Sequence, residues 1–68
     1  MRNRLREQRT DRGMSQAEAA RALGVSRQTV IAIETCRYSP SLPLAFRIAR
    51  LFESTVDDMF DASGEELT

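Results

Sequence analysis

Two short capped helices joined by one tight turn constrain this chain more than any other feature of its sequence. Ser15 is a good N-cap, and a glutamate three positions later completes the reciprocal capping box that starts a helix. Gly24 tolerates the left-handed conformation in which helices end, and Ser26 offers a second N-cap directly afterwards. The sequence therefore predicts helices over about 16–23 and 27–34, an arrangement typical of a helix-turn-helix.

The second of these helices has two different faces. At about 100° per residue, Val30 and Ile33 fall together on one side and are predicted to be buried. The opposite side carries an arginine, a glutamine and two apolar residues. A single exposed apolar residue is ordinary on a protein surface, but Arg can bind guanine, Gln can bind adenine, and an apolar side chain can contact a thymine methyl. This face is predicted to read bases through Arg27, Gln28, Ile31 and Ala32.

The remaining pattern predicts three further helices. The first spans about 4–12, with Asn3 as its N-cap. The fourth spans about 42–52, begins after Ser41, and repeats apolar residues every four positions, so it should supply much of the core. The fifth spans about 56–61. The core positions predicted for the fourth helix are Leu44, Ala45, Ile48, Ala49 and Phe52.

The length of 68 residues allows one domain with a small core. We expect a domain over 1–61 and a short acidic tail over 62–68. The fifth helix should bring Val56, Met59 and Phe60 either to this core or to a partner. Because so small a domain gains from burying them, these three residues are predicted to form a homodimer interface.

Charge is strongly segregated along the chain although the net charge is zero. Residues 1–50 hold all ten arginines and four acids, a net charge of +6. Residues 51–68 hold six acids and no basic residue, a net charge of −6. A basic body of this kind favours an anionic partner.

Several function classes are disfavoured by composition. The chain has one cysteine, Cys36, and no histidine, which excludes an intrachain disulfide, the usual zinc ligand sets and the Ser–His or Cys–His nucleophile pairs. No enzymatic activity, metal or cofactor is expected. With no signal peptide or long apolar run, we expect a cytoplasmic protein without a membrane segment.

Polar residues around the two central helices are candidates for phosphate contacts. Gln16 lies in the first turn of its helix, where free N–H groups attract anions. Thr35, Arg37 and Tyr38 follow the base-reading helix and supply hydroxyl and guanidinium groups, which phosphate contacts use. An ordinary polar residue and an ordinary surface loop are the alternative interpretations.

Motifs spread over residues 3–60 resemble one known family. They are Gly13-Met-Ser-Gln, Leu23-Gly-Val-Ser-Arg-Gln-Thr-Val, Ile33-Glu34, Pro40-Ser-Leu and Val56-Asp-Asp-Met-Phe. In this order and spacing they resemble the XRE family of helix-turn-helix regulators, similar to the phage lambda and Cro-type repressors. The resemblance implies an all-α, five-helix domain that binds operator DNA with its third helix in the major groove.

The resemblance also implies a role for individual residues. Arg27, Gln28 and Ala32 would face base edges, with Ile31 beside them. Arg9 and Glu34 match a partly buried ion pair between the first and third helices. Cys36 and Glu53 stand where the family often has Gly, so each should strain the backbone at a helix end. The resemblance further implies contacts with the phosphate backbone of the DNA for Gln16, Thr35, Arg37, Tyr38 and Ser41. Gln16 would also brace the third helix.

These observations predict a sequence-specific regulator of transcription, acting as a repressor. We expect a homodimer on a pseudo-palindromic operator with half-sites about 34 Å apart. A different class remains open: the antitoxin of a toxin–antitoxin pair, docking a protein partner through the acidic segment 57–68. A DNA-binding adaptor within a larger complex is a third possibility.

Overall fold

Five helices and one short strand pair make up the described part of the chain. The computed structural model describes residues 2–61, so the acidic tail predicted for 62–68 lies outside the described residues. The predicted all-α, five-helix architecture is confirmed. In chain order the elements are β1 (Arg2–Asn3), α1 (Leu5–Asp11), α2 (Gln16–Leu23), α3 (Arg27–Glu34), α4 (Leu42–Leu51), α5 (Val56–Met59) and β2 (Phe60–Asp61).

Four of the five helices begin at a hydroxyl residue. Each hydroxyl oxygen accepts a hydrogen bond from the backbone N–H three residues later, which satisfies one free donor of the first turn. The capping box at the start of α2 is complete, because the backbone N–H of Ser15 also donates to the Glu18 carboxylate. The capping residues are Ser15, Ser26, Ser41 and Thr55.

The start of α1 differs from the prediction. Arg4, not Asn3, occupies the N-cap position, and its side chain makes no capping hydrogen bond. Asn3 still contributes, because its Oδ1 accepts a hydrogen bond from the Leu5 N–H at 3.1 Å. Its Nδ2 donates to the carbonyl oxygen of Ile33 at 2.8 Å, which connects the beginning of α1 to the end of α3.

One apolar core unites the helices. Leu5 of α1, Val30 and Ile33 of α3, and Ile48 of α4 are completely buried. All five core positions predicted for the fourth helix are buried, which confirms that this helix supplies much of the core. Ala20 and Leu23 of α2 belong to the same cluster. The faces predicted for α3 and α4 are therefore the faces that pack.

The fifth helix is shorter than predicted. Phe60 and Asp61 leave the helix and form β2, which pairs antiparallel with β1 in the register Arg2 to Asp61 and Asn3 to Phe60. The Arg4 N–H adds a hydrogen bond to the Met59 carbonyl oxygen at 2.9 Å. The two ends of the domain are thus joined through backbone hydrogen bonds.

The predicted strain at two helix ends is present. Cys36 follows α3 with φ of +60°, and Glu53 follows α4 with φ of +53°. Both lie in the left-handed region, which places Cβ close to the carbonyl oxygen in residues other than Gly. Gly24 adopts the same conformation at φ of +73° without that contact. No helix among residues 2–61 is long and apolar enough to cross a membrane.

Candidate nucleic-acid interface

The two helices of the central motif pack so that one face of α3 is left outside. Gly24 ends α2 in the left-handed conformation and Ser26 starts α3 at once, so the turn between the helices is short. Val30 and Ile33 anchor α3 in the core at 0% exposure each. The opposite face of α3 is therefore directed away from the core.

The structure places the four predicted base-reading residues on that outward face. Arg27 and Gln28 are exposed at the start of α3, whereas Ile31 and Ala32 are half-buried one turn later. The long polar side chains therefore extend furthest from the domain, with smaller apolar surfaces behind them. This order suits a helix whose N-terminal end enters a groove.

A partly buried ion pair joins α1 to the end of α3, as predicted. Arg9 Nε donates to Glu34 Oε2 at 2.7 Å, and Arg9 Nη2 donates to Glu34 Oε1 at 3.2 Å. The Glu34 side chain is only 4% exposed and that of Arg9 12%. Arg9 Nη1 also donates to the Met14 carbonyl oxygen at 2.9 Å, so the guanidinium contacts the loop before α2 as well.

Gln16 continues this network to the surface. Its Nε2 donates to Glu34 Oε1 at 3.2 Å, and its Oε1 accepts a long hydrogen bond from Arg27 Nη2 at 3.5 Å. The amide therefore lies between the buried carboxylate and the first residue of the outward face. It braces α3, which is one of the two roles implied for it.

The loop after α3 offers fewer free donors than the sequence indicates. The Thr35 hydroxyl donates to the Ile31 carbonyl oxygen at 2.8 Å, and the backbone N–H groups of Arg37 and Tyr38 both donate to the Ala32 carbonyl oxygen. These groups already have partners within the protein. The loop can therefore reach an anion chiefly through the side chains of Arg37 and Tyr38, which are exposed.

Ser41 is less favourably placed for a phosphate contact than Arg37 in the loop after α3. Its Oγ accepts the Leu44 N–H at 3.4 Å, so the side chain is engaged in starting α4. Pro43 removes one of the N–H groups that a first helical turn would otherwise present. The Ser41 hydroxyl proton can still be donated outward, since Ser41 itself is exposed.

The helix-turn-helix family model matches residues 5–59, which include all five helices. This chain belongs to the XRE family. An uncharacterized HTH-type transcriptional regulator of Methanothermobacter thermautotrophicus is 52% identical to it over 61 residues, 88% of either chain. Another, from Archaeoglobus fulgidus, is 46% identical over 67 residues, 98% of this chain and 96% of its own. A third, from Methanocaldococcus jannaschii, is 46% identical over 66 residues, 97% of this chain and 100% of its own.

The dimer interface predicted for this XRE-family chain is wrong at two of its three residues. Met59 and Phe60, assigned to a dimer interface, are 1% and 9% exposed because they pack inside the protomer core. Side chains already covered by their own chain have no area left for a partner. Val56, the third predicted member, is half-buried and retains some free surface.

Sequence reasoning also missed a residue that positions α3 in this XRE-family chain. Asn3 holds the Ile33 carbonyl at the C-terminal end of the helix, while Arg9 holds Glu34 beside it. No sequence pattern separates an Asn that caps its own helix from one that also reaches another helix. Among residues 2–61 there is no group of three or more His, Cys, Asp or Glu side chains that could hold a metal ion.

Proposed function

We propose that this XRE-family chain is a sequence-specific DNA-binding regulator of transcription that places α3 in the major groove. The observation that carries the proposal is the division of α3 into two faces, with Val30 and Ile33 fully buried and Arg27 and Gln28 exposed. A helix fixed on one side and polar on the other presents its side chains to base edges. The relatives named as HTH-type transcriptional regulators support the same function.

Base recognition is assigned to four residues of the outward face. Arg27 suits the O6 and N7 acceptors of guanine, and Gln28 suits the N6 and N7 groups of adenine. Ile31 and Ala32 lie deeper and suit thymine methyl groups. The network through Gln16, Glu34 and Arg9 fixes the angle at which this face meets the groove.

Phosphate contacts are assigned around this face. Arg37 and Tyr38 present exposed side chains after α3, whereas Gln16 and Ser41 can contribute only donors left over from their own hydrogen bonds. Thr35 is the weakest member of the predicted set, because its hydroxyl proton is already donated to Ile31. Such contacts supply affinity and salt dependence, not sequence discrimination.

The protein is proposed to act in the cytoplasm as a homodimeric repressor. Two copies of α3 about 34 Å apart would read a pseudo-palindromic operator from one side of the duplex. Repression follows where the operator overlaps a promoter, because bound protein blocks polymerase. In vitro transcription from such a template, with and without the protein, tests the sign of regulation.

Selection from a random pool of double-stranded DNA tests the central proposal. The bound sequences should share one motif with twofold symmetry. Arg27→Ala should then reduce discrimination at one base pair of each half-site by about 1–3 kcal/mol. Arg21→Ala removes the same charge from an exposed position of α2 and is the matched control. Unchanged discrimination in Arg27→Ala would show that α3 does not read bases through this residue.

A further inference from the structure

Ile31 carries the only large apolar side chain on the outward face of α3. At about 100° per residue it falls between Arg27 and Gln28 around the helix axis. The residue is half-buried, yet within residues 2–61 it belongs neither to the apolar core nor to the partly buried side chains packed against that core. Folding therefore leaves apolar surface of Ile31 uncovered beside two side chains suited to hydrogen bonding.

The position of Ile31 along α3 places it near the base that Arg27 would bind. The two residues are four positions apart, which is about 6 Å along the helix axis. Neighbouring base pairs are separated by about 3.4 Å. Ile31 should therefore meet a base pair one or two steps from the guanine assigned to Arg27.

The backbone and the branching of Ile31 hold its side chain in place. The Ile31 carbonyl oxygen accepts hydrogen bonds from the Thr35 N–H at 2.9 Å and from the Thr35 hydroxyl at 2.8 Å, so the helix is continuous here. A β-branched side chain in a helix has one strongly preferred rotamer. Ile31 therefore presents its apolar surface in one position and loses little rotamer freedom on binding.

The apolar group that the major groove offers to such a side chain is a methyl group on C5 of a pyrimidine. Thymine carries this methyl group, and cytosine methylated at C5 carries it at the same place. The two bases differ at position 4, where thymine has an acceptor oxygen and cytosine a donor amino group. An aliphatic side chain has neither donor nor acceptor, so it responds to the methyl group and not to that difference.

We propose that Ile31 makes DNA binding respond to cytosine methylation. The chain binds more tightly to a half-site in which a cytosine, one or two base pairs from the guanine read by Arg27, carries a methyl group at C5. Contact between this methyl group and Ile31 removes both apolar surfaces from water. The gain in affinity is about fourfold, the equivalent of one buried methylene group. The inference rests on the proposed DNA recognition by α3 and adds a chemical modification of DNA to what this helix reads.

Matched duplexes test the response to the methyl group. The half-site comes from the selection of bound DNA, and Arg27→Ala locates the guanine. At each of the two base pairs on either side of it, four duplexes carry thymine, uracil, cytosine or 5-methylcytosine with the complementary purine. Fluorescence anisotropy titration should give a ratio of about fourfold for 5-methylcytosine over cytosine at one of these positions, and the same ratio for thymine over uracil there. Each ratio compares bases with the same hydrogen-bonding groups, so it isolates the methyl group.

Two variants assign the response to a side chain. Ile31→Ala should reduce both ratios to about one while keeping discrimination at the guanine. Leu42→Ala is the matched control, because Leu42 is an aliphatic side chain of the same size, 62% exposed and outside α3, so both ratios should remain. Circular dichroism melting of both variants verifies that they fold.

The results that overturn the proposal are distinct from those that overturn DNA recognition. Equal affinity for cytosine and 5-methylcytosine at every tested position, weaker binding of the methylated duplex, or a ratio that persists in Ile31→Ala would each refute methyl recognition by this residue. Discrimination at the guanine that is lost in Arg27→Ala, without any methyl response, leaves the proposed function intact. A random pool that yields no common motif would overturn both proposals.

Discussion

Glu34 at the end of α3 is paired with Arg9 of α1, with 2.7 Å between Oε2 and Nε, while its side chain is only 4% exposed. The orientation of the outward face of α3 therefore depends on a carboxylate that is almost fully buried. A buried carboxylate of this kind is tolerated only while it is paired and hydrogen-bonded. The ion pair therefore holds the first and third helices in one relative orientation.

Loss of Arg9 should be severe. Arg9→Met keeps an unbranched apolar stem but leaves Glu34 without its positive partner, so the free energy of unfolding should fall by about 3–5 kcal/mol. Urea denaturation followed by circular dichroism measures the change. A small domain has little stability to spare, so this variant should be close to unfolding at room temperature.

Two comparison variants separate the ion pair from other effects. Arg6→Met removes the same charge from an exposed position of α1 and should change stability by no more than about 0.5 kcal/mol. Combining Arg9→Met with Glu34→Leu removes both charges and should recover much of the loss. A double variant as unstable as Arg9→Met alone would contradict this account.

The helices and their faces could be predicted because their determinants are local. A hydroxyl before each of α2 to α5 marks the start, and the 3.6-residue period assigns Val30 and Ile33 to the core. The Arg9–Glu34 pair, in contrast, followed only from the family resemblance. Residues 25 positions apart in the chain carry no local pattern that brings them together.

The errors have physical causes in tertiary packing. An apolar residue on a short helix looks the same in sequence whether its own chain or a second copy covers it, so Met59 and Phe60 were assigned to the wrong surface. The pairing of β1 with β2 joins two residues from each end of the domain. Strands of two residues are too short to show the alternation by which strands are recognised.

Strain at Cys36 offers a route to a more stable protein. Because its φ is +60°, Cys36→Gly relieves the contact between Cβ and the backbone and should raise the free energy of unfolding by about 1 kcal/mol. Cys36→Ser keeps both the Cβ and the strain, so it should show no such gain. Thermal melts of the three proteins in one reducing buffer provide the comparison.

Glu53 should respond in the same way at the end of α4. Its φ is +53°, and its contact with Arg12 at 3.9 Å is too exposed to contribute much. Glu53→Gly should therefore raise the free energy of unfolding, measured by urea denaturation, by about 1 kcal/mol. A loss of stability in Glu53→Gly would indicate that the Arg12 contact outweighs the strain.

The capping box makes the start of α2 sensitive to acid. The backbone N–H of Ser15 lowers the pKa of Glu18 below its ordinary value of 4.5, and the Ser15 hydroxyl acts in the same direction. Desolvation opposes these hydrogen bonds, and the nearby charge of Arg21 lowers the pKa further. The unfolded chain therefore takes up this proton at higher pH than the folded one. The stabilisation is fully present above 4.5 and is lost as pH falls through the folded-state value.

Glu18→Gln isolates that contribution. The amide keeps an oxygen for the Ser15 N–H but cannot titrate, so the variant should lose less stability than the parent on acidification. Melting temperatures from neutral pH to well below 4.5 measure the difference between the two slopes. A carboxyl NMR titration of the parent should give a pKa below 4.5 directly, and a value at or above it would contradict the prediction.

Asn3 should contribute to stability through both of its hydrogen bonds, the one to Leu5 and the one to Ile33. Asn3→Asp keeps an acceptor for the Leu5 N–H but replaces the donor to the Ile33 carbonyl with a negative oxygen, so stability should fall by about 1–3 kcal/mol. Asn3→Ser keeps an oxygen acceptor near the Leu5 N–H, is too short to reach Ile33, and introduces no charge, so it should lose less stability. Equal stability of Asn3→Asp and the parent would show that the link to α3 contributes nothing.

Arg37 should affect affinity without affecting specificity. Its exposed side chain follows α3, whereas the neighbouring Thr35 hydroxyl is occupied within the helix. Arg37→Ala should weaken binding to all sequences alike and reduce the slope of log K against log salt by about one, as expected when one phosphate contact is lost. Thr35→Val should leave that slope unchanged. Titration of operator and random DNA at several salt concentrations measures both effects, and a loss confined to operator DNA would assign Arg37 to base recognition instead.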